Sequence, residues 1–444
     1  MQDMWETLHK SNFPMKSKII FYQDPSFAKK ISNLVKSNTT TDAAKEKVVA
    51  NIIANVKKNG DKAIISLCNQ FDKTKFKTGS DLLVSKQEIN LAKKNLDKNV
   101  TKALELAFAR VFEYHQKQLP QNFSYQDGLG NTLGNVWQTI EQVAIYVPGG
   151  TATYPSSVIM NAVPAIVAGC KQISMTTPSS GGKINDAVLV AAEICNIKTI
   201  YKTGGAAAIA ALAFGTKTIT KVDKIVGPGN SFVAIAKKQL FGEIGIDMIA
   251  GPTDILVIAD NKNNPDWIAA DLLSQLEHGV DSRAILISDD LDFVNLVNSS
   301  LARLAKTLSR LDIIKKSLQK SALIVVKNLE KDAVEIANRI APEHLEIVTQ
   351  NPDKIFNKIK NSGAVFLGKY SPEAIGDYIA GPSHTLPTTG TARFSSGLSV
   401  FDFLKRMSVI SCSKKGFEQL QNQAALLAQN EGFDAHKLSL TIRK

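Results

Sequence analysis

The sequence predicts an α/β protein in which two parallel-sheet units follow one another along the chain. Short apolar strands alternate with helical segments from Val143 onward, a pattern typical of a parallel sheet with helices on both faces. The alternation starts again at Asp254, with a second series of strands and helices. A chain of 444 residues is also too long for one small core, so two or more domains are expected.

The chain before the first unit is predicted to hold an arm, two helices and a turn. Residues 1–40 form a polar arm ending in SNTTT, a loop composition that can cap the next helix. Apolar residues recur at helical spacing from Ala44 until Gly60 ends that helix, and a second amphipathic helix covers about residues 98–118. GLGNTLG (128–134) follows no strand, so it is a turn or hairpin and not a nucleotide-binding fingerprint.

Three glycine-bearing loops join strands to helices in the first unit. VAIYV runs into PGG (148–150), KTIYK runs into GG (204–205), and DKIVG enters GPGN (227–230). Glycine lets a ligand approach the backbone, helix N-termini attract phosphate or carboxylate, and ligands of open parallel sheets lie at the carboxyl ends of strands. No GxGxxG fingerprint is present, and each loop taken alone is more often a tight turn.

The second unit contains the strands DILVIAD, RAILISD, ALIVVK, HLEIV and GAVFLG, with helices between them. The tail after about residue 398 follows SSGLS and is largely helical. We expect it to be a separate appendage.

Composition excludes several classes of protein. The net charge of +12 suits nucleic acid, but the excess is mostly scattered lysine without an aromatic-basic signature, so nucleic-acid binding is the weaker alternative. No apolar run approaches the ~20 residues of a membrane span, and the N-terminus lacks a secretory apolar region. The four cysteines lie far apart, which fits reduced thiols in a cytoplasmic protein.

Four of the six histidines lie in short polar clusters, all after residue 270. Their partners are acids or amides: Gln275 and Glu277 with His278, Glu343 with His344, Asp377 with His384, and Glu431 and Asp434 with His436. Histidine titrates near neutrality and binds borderline metals, so the clusters predict a metal site, proton-transfer chemistry, or both.

Gln275 and His278 are three residues apart near the end of a predicted helix and can project from one face. Asp377 and His436 can complete a tetrahedral set with nitrogen and oxygen ligands and no thiolate, which suits zinc with substrate access. Glutamine is an unusual zinc ligand, and the alternative for Gln275 is a helix C-terminal cap.

Several strings resemble the histidinol dehydrogenase family, and the match is collinear from about residue 40 to the C-terminus. They are YVPGGTATYPSSVIMNAVPAIVAGC, KVDKIVGPGN, IDMIAGPTDILVIAD, DLLSQLEHG, APEHLE, GDYIAGPSHTLPT and EGFDAH. The resemblance implies two consecutive, incomplete Rossmann-like domains and the oxidation of L-histidinol through L-histidinal to L-histidine, with reduction of two NAD, in histidine biosynthesis.

The resemblance also implies how the chain is divided. It gives residues 41–142 plus 253–398 the zinc and catalytic residues, and residues 143–252 the NAD-contacting loops. Residues 399–444 then form a tail exchanged in a homodimer with shared active sites.

Site residues implied by the resemblance fall into four groups. The ligands of one zinc per subunit are Gln275, His278, Asp377 and, from the partner subunit, His436, and the acid–base pair is Glu343 and His344. The substrate contacts are Thr253, His384 and Glu431, together with His344 and the zinc ligands. The NAD contacts are at Tyr146, Ala207 and Asn230. Two positions depart from the family pattern. Ala207 replaces a glutamine that contacts NAD, which puts part of that contact in doubt, and Asp254 replaces a glutamate.

The chemistry of these residues suits the implied reaction. Oxidising an alcohol to an acid needs a base, a hydride acceptor and an activated water. His344 can be the base toward the substrate oxygen and Glu343 the activator of water, while the resemblance implies that zinc anchors the imidazole and amine of the substrate. The alternative is structural: Glu343 ends a helix and His344 begins a strand.

Two other enzyme classes stay open. A related zinc and NAD dehydrogenase, such as a sulfonate-diol dehydrogenase, would keep both cofactors without binding an imidazole. A zinc hydrolase would need no NAD. Glu431 and His384 favour the amino-imidazole substrate.

Overall fold

A computed structural model of the chain describes residues 17–35, 43–149 and 153–443. It shows two parallel sheets, flanked by helices, and one small antiparallel sheet. The predicted α/β class with two consecutive parallel sheets is confirmed. Within the described ranges, no helix is both long enough and apolar enough to cross a membrane.

The first elements are one strand and five helices: β1 (Lys18–Phe21), α1 (Phe27–Val35), α2 (Ala43–Asn59), α3 (Asp61–Phe71), α4 (Lys86–Asn95) and α5 (Lys98–Gln116). The structure differs from the predicted polar arm over residues 1–40, because β1 pairs in parallel with Ala322–Val325. Ile20 and Ile31 are buried in the core of that sheet. Residues 1–16 and 36–40 of the predicted arm lie outside the described residues.

Helices α2 to α5 pack on the five-stranded sheet and its helices. Val49 and Ile64 share a core with the helix that begins at Gly205, and Ala92 and Val111 share one with the helix that begins at Pro155. The domain division that the resemblance implies places residues 41–142 with 253–398 instead. Helical periodicity shows which face of a helix is apolar, but it does not show which sheet covers that face.

The predicted hairpin is present as β2 (Phe123–Gln126) and β3 (Thr132–Thr139), which pair antiparallel. The first parallel unit follows: β4 (Gln142–Tyr146), α6 (Pro155–Ala168), β5 (Gln172–Thr177), α7 (Asp186–Ile194), β6 (Thr199–Lys202), α8 (Gly205–Phe214), β7 (Lys224–Val226), α9 (Ser231–Leu240) and β8 (Gly245–Ile246). The spatial order is β6-β5-β4-β7-β8. The strand order therefore reverses between β4 and β7, where open sheets of this type bind ligands.

The second parallel unit repeats this order and adds β1 at one edge. Its elements are β9 (Asp254–Ala259), α10 (Pro265–Leu276), β10 (Arg283–Ser288), α11 (Leu291–Leu304), α12 (Leu311–Leu318), β11 (Ala322–Val325), α13 (Val334–Ile340), β12 (His344–Val348), α14 (Pro352–Phe356), β13 (Ala364–Leu367) and α15 (Glu373–Tyr378). The spatial order is β1-β11-β10-β9-β12-β13. Every residue of the central β9 is buried, as expected for a strand covered on both faces.

The tail contains the predicted helices, but it begins with a strand. Its elements are β14 (Leu404–Ser411), α16 (Lys414–Asn430) and α17 (Asp434–Thr441). All eight residues of β14 pair antiparallel with β3. The partner strand lies far away in the sequence, so no local turn signal indicates this pairing.

Candidate active site

The amino ends of β9 and β12 carry a set of hydrogen-bonded side chains. Thr253 directly precedes β9, Glu343 directly precedes β12, and Gln275 lies at the end of α10. The Thr253 hydroxyl donates to Oε2 of Glu343 and accepts from Nε2 of Gln275 at 2.5 Å. Because β9 and β12 are neighbours in the sheet, a predicted substrate contact, catalytic acid and metal ligand meet here.

Asp254, the first residue of β9, holds the Glu343–His344 pair in place. Its Oδ1 accepts from the backbone nitrogen of Glu343 at 2.8 Å, and its other carboxylate oxygen pairs with Arg283. Its carbonyl oxygen accepts from Nδ1 of His344 at 3.2 Å. The shorter acid at this position is therefore buried with contacts on both carboxylate oxygens, and it acts by positioning its neighbours.

His344 presents a free ring nitrogen to the site. Since the carbonyl of Asp254 can only accept, Nδ1 carries the hydrogen and Nε2 is left with its lone pair. Nε2 is buried without a hydrogen-bond partner among the described residues. Burial lowers the pKa of His344 to about 3, against the opposing effect of the Asp254 hydrogen bond. A neutral His344 can thus accept a proton at Nε2.

The carboxyl group of Glu343 is suited to receiving a proton. Burial raises the pKa of Glu343 well above its usual value, and the charges of Asp254 and Asp377 raise it further. The hydrogen bond from Thr253 opposes these effects and lowers the pKa. A carboxylate with a raised pKa is a stronger base than an ordinary glutamate, which suits the removal of a proton from water.

Asp377, on α15, brings two of the predicted histidines together. Its Oδ2 is 3.9 Å from Nε2 of His278, and its Oδ1 is 3.8 Å from Nδ1 of His384. His384 donates from Nδ1 to the carbonyl oxygen of Asp377 at 2.9 Å and accepts at Nε2 from Oγ of Ser157 at 3.1 Å. Both nitrogens of His384 are therefore engaged within the chain, and its substrate contact stays a prediction.

Glu373 belongs to this site, although the sequence analysis did not select it. One ligand atom each from His344, Glu373 and Asp377 lie within 4.8 Å of one another. Burial and the charge of Asp377 raise the pKa of Glu373 to about 8. Glu373 precedes Asp377 by four residues in the sequence SPEAIGDY. In a helix, this spacing places both side chains on one face. The burial of Glu373 beside His344 became visible only in the structure.

The donor atoms of Gln275, His278 and Asp377 fit a zinc ion. Oε1 of Gln275 is buried with no hydrogen-bond partner in the described chain, while Thr253 holds Nε2, so the amide oxygen is left for a ligand. Nε2 of His278 and Oδ2 of Asp377 lie 3.9 Å apart, so both would face an ion bound between them. The C-terminus of α10 adds the negative end of a helix dipole, which favours a cation.

The fourth predicted ligand, His436, shows no contact with these three among the described residues. Glu431 directly follows α16 and His436 lies on α17, and both are exposed. The ring of His436 contacts that of Phe433, with centroids 5.1 Å apart. Across the described part of the chain, no hydrogen bond or ion pair joins Glu431 or His436 to the other three predicted ligands. His436 as the fourth zinc ligand therefore stays a prediction.

The carboxyl edge of the five-stranded sheet carries the glycine loops. Tyr146 ends β4, and its hydroxyl accepts from the backbone nitrogen of Gly205 at 3.1 Å. Ala207 is buried in the first turn of α8. No side chain caps α6 or α8, whereas Asn185 caps α7 and Asn230 caps α9. An uncapped helix N-terminus leaves backbone N–H groups for an anion, which fits the pyrophosphate of a dinucleotide.

A buried ion pair between Lys237 and Asp247 fixes the GPGN loop. The side chains are only 2% and 1% exposed. Nζ of Lys237 donates to the carbonyl oxygen of Gly227 at 3.0 Å, and the Gly227 nitrogen donates to Asp247 at 2.7 Å. Gly227 has φ +111°, and a Cβ there would lie 2.2 Å from the carbonyl oxygen of Tyr146. The loop therefore needs glycine to run directly against the end of β4. Gly150 of the PGG loop lies outside the described residues.

The two edges meet through Ser157 and His384. Ser157 lies in the first turn of α6, at the carboxyl edge of the five-stranded sheet, and its hydroxyl reaches the histidine that holds Asp377. This contact joins the carboxyl edge of the five-stranded sheet to the site at the amino edge of the other sheet. Sequence reasoning missed Ser157, because YPSS shows only the start of a helix.

Comparisons with known proteins agree on one family. The sequence model of the histidinol dehydrogenase family matches residues 35–444. The chain is 48% identical over 421 residues to the histidinol dehydrogenase of Nitrosospira multiformis, covering 95% of this chain and 96% of that protein. It is 49% identical over 395 residues to that of Agrobacterium fabrum, covering 89% and 91%. The crystal structure of histidinol dehydrogenase from Elizabethkingia anophelis superposes with a TM-score of 0.91 at 36% identity, covering 96% and 98%.

Proposed function

The chain belongs to the histidinol dehydrogenase family, and on that premise we propose that it oxidises L-histidinol through L-histidinal to L-histidine, using NAD and zinc. The observation that carries the proposal is the meeting of Gln275, His278 and Asp377 with the Glu343–His344 pair at one sheet edge. This set combines ligands for a metal with two proton acceptors, as the oxidation of an alcohol to an acid requires.

Gln275, His278 and Asp377 would hold the zinc, together with His436 of the partner subunit. Zinc bound there supplies a Lewis acid that anchors the amine and imidazole nitrogens of the substrate. NAD supplies the hydride acceptor in both oxidations. Its pyrophosphate fits the uncapped helix N-termini at the carboxyl edge of the five-stranded sheet, near Tyr146, Ala207 and Asn230.

His344 and Glu343 would divide the proton transfers. In the first step, Nε2 of His344 would take the proton of the substrate hydroxyl group. In the second step, Glu343 would take one proton from the water that adds to the aldehyde, and His344 would take the remaining hydroxyl proton as the carboxylate forms. Thr253 holds the carboxyl group of Glu343, and Asp254 holds the imidazole of His344.

A substrate comparison tests the proposed activity. NADH formation is followed at 340 nm with L-histidinol and with a sulfonate diol as alternative substrate. We expect turnover of L-histidinol and at most slow turnover of the diol. Faster turnover of the diol would assign the chain to the alternative dehydrogenase, and NAD-independent hydrolysis of an ester or amide would point to a zinc hydrolase.

We further propose a homodimer in which each tail completes the site of its partner. Leu426 and Leu427 of α16 and Leu438 of α17 are 60–67% exposed, and a second subunit would cover them. The exposed Glu431 and His436 lie on the same tail, and among the described residues no hydrogen bond or ion pair joins them to Gln275, His278 or Asp377. In this arrangement the tail supplies one substrate contact and one zinc ligand to the partner site.

Mixed dimers test the exchange. His278→Ala and His436→Ala chains, each inactive alone, are refolded together with different affinity tags. One site of the mixed dimer then carries both substitutions and the other carries neither, so up to about half of the activity per heterodimer returns. Tagged heterodimers that form and stay inactive would show that His436 serves its own chain.

The proposed division of the chain follows from these roles. Residues 143–252 would carry the NAD loops, residues 253–398 the zinc and catalytic groups, and residues 399–444 the exchanged tail. Residues 43–116 pack with the NAD-loop sheet, although the sequence analysis grouped them with the zinc domain. We propose the cytoplasm as the location, because Cys68, Cys170, Cys195 and Cys412 are all free thiols.

A further inference from the structure

A carboxylate without a partner lies at the cofactor edge of the five-stranded sheet. Asp72 directly follows α3 and is half-buried. Among the described residues its carboxylate makes no hydrogen bond and no ion pair. Burial raises the pKa of Asp72 to about 6, so the group is mostly ionised at neutral pH and above. A partly buried charge without a partner is unfavourable in the free protein, and such groups cluster at functional sites.

Contacts around Asp72 place it at the ends of the first three strands of the unit. Its carbonyl oxygen accepts from the backbone nitrogen of Gly181, in the loop after β5, at 2.9 Å. The thiol of the nearby Cys68 donates to Oγ1 of Thr203, just after β6, at 3.5 Å. Burial raises the pKa of the Tyr146 hydroxyl, at the end of β4, to about 12, and the charge of Asp72 adds to this shift.

The turn that carries Asp72 is held rigidly by Asn69. Oδ1 of Asn69 accepts from the Thr74 hydroxyl at 2.6 Å and from the Phe76 nitrogen at 2.8 Å. Nδ2 of Asn69 donates to the carbonyl oxygen of Phe76 at 2.9 Å. With the contact to Gly181, these bonds fix the backbone on both sides of Asp72 before any ligand arrives.

The strand order of this sheet indicates which part of a dinucleotide lies near Asp72. In dinucleotide-binding sheets of this order, an acid after the second strand accepts a hydrogen bond from the ribose of NAD. The second strand here is β5, and the chain has no acid between its last residue, Thr177, and Asp186 on α7. Asp72 reaches this place from outside the sheet, because Gly181 holds it against the loop after β5.

We propose that Asp72 binds the ribose diol in the adenosine half of NAD and excludes NADP. A carboxylate accepts hydrogen bonds from both ribose hydroxyls, and it repels the additional phosphate of NADP. Lys202, a nearly buried cation at the end of β6, is 2.7 Å from Oε1 of Glu88, so its charge is already balanced. The inference rests on the NAD site proposed above.

Binding measurements on the full-length protein test this role without relying on turnover. Dissociation constants for NAD, NADP and 2′-deoxy-NAD are measured by calorimetry for the wild-type protein, Asp72→Asn and Asp72→Ser. NAD should bind both variants roughly tenfold more weakly, because a hydrogen bond to a charged group is lost. NADP should bind them more tightly than it binds the wild type. Removing the ligand 2′-hydroxyl should weaken binding to the wild type much more than to Asp72→Ser.

Two control variants separate the possible outcomes. Asp186→Asn should leave the NAD and NADP constants unchanged, and an altered preference in that variant instead of Asp72→Asn would overturn the assignment. Asp247→Asn disturbs the GPGN loop and should weaken both dinucleotides. If it does so while the Asp72 variants match the wild type, the NAD site stands and the role of Asp72 is wrong. If none of the variants changes binding, the cofactor site itself is misplaced.

Discussion

The two parallel sheets have the same strand order over five strands, but opposite edges carry their candidate sites. In the five-stranded sheet, the glycine loops and Tyr146 follow the carboxyl ends of the strands. In the six-stranded sheet, Thr253 and Glu343 precede the amino ends of β9 and β12. The two sites are in contact, since Ser157 of one unit contacts His384 of the other.

Helix direction explains why the two edges suit different ligands. At the carboxyl edge of a parallel sheet the following helices begin, so their free N–H groups favour the pyrophosphate of NAD. At the amino edge the preceding helices end, and α10 ends beside Gln275 and His278 with the negative end of its dipole. One topology can thus offer an anion site on one edge and a cation site on the other.

Removing the metal should have the largest effect, because it should abolish the chemistry at one sheet edge and leave NAD binding at the other edge intact. Chelated, metal-free protein should lose roughly a thousandfold or more in turnover, since several kcal/mol of transition-state stabilisation disappear. NAD binding and the circular dichroism spectrum should change little, because the glycine loops belong to the other sheet. Metal analysis, calorimetry with NAD and zinc add-back check this. Normal turnover without any divalent metal would rule out the assigned ligands.

Glu343→Gln should slow the second oxidation by ~100-fold to 10,000-fold and the first much less, because only the second consumes water. His344→Asn should slow both oxidations, since each requires proton removal from an oxygen. Single-turnover NADH formation from histidinol and from histidinal separates the two. The NAD dissociation constant should match the wild type in both variants. Equal slowing of both oxidations by Glu343→Gln would contradict the division of roles.

Asp247→Asn should affect the carboxyl edge alone. It leaves Lys237 buried without its partner charge, so stability falls by roughly 3–5 kcal/mol. The freed Gly227 loop should raise the NAD dissociation constant roughly tenfold, since a charge-assisted hydrogen bond to its backbone is lost. The dissociation constant for histidinol should stay unchanged.

Lys238→Met is the matched control for Asp247→Asn, because Lys238 lies on the same helix but pairs with Glu46 at the surface. It should change neither stability nor NAD binding appreciably. Equal effects of the two substitutions in denaturant unfolding and calorimetry would show that the buried pair has no special role in holding the loop.

The smallest expected effect is a difference in NAD affinity between variants of two residues that cap helices of the same unit. Asn230 and Asn185 each accept from backbone nitrogens at the start of a helix, so either Asn→Ala change should lower stability by about 1 kcal/mol. Only Asn230→Ala should also weaken NAD binding, by a few-fold, if Asn230 contacts the cofactor. Denaturant unfolding and calorimetry measure both quantities. Indistinguishable NAD affinities in the two variants would remove Asn230 from the proposed site.

Local sequence patterns were sufficient for most elements and for the paired site residues. After Asp254, strand β9 is a continuous apolar run, and Gln275 and His278 share a helix end, so both could be inferred from spacing. Ser157 and Glu373 could not. Ser157 lies in an ordinary helix start and Glu373 is one glutamate among many. They become site residues only because the fold brings Ser157 against His384 and Glu373 against His344.

The sequence by itself determined the α/β class, the two units, the glycine loops and the residue types needed for metal and proton chemistry. These depend on short-range periodicity and on the chemistry of individual side chains. The tertiary structure alone decided that β1 and β14 join distant strands, that α2 to α5 cover the five-stranded sheet, and that opposite sheet edges meet. Such pairings arise because an apolar face or an unpaired strand edge is satisfied by any complementary surface, and only the packing of the whole chain selects one.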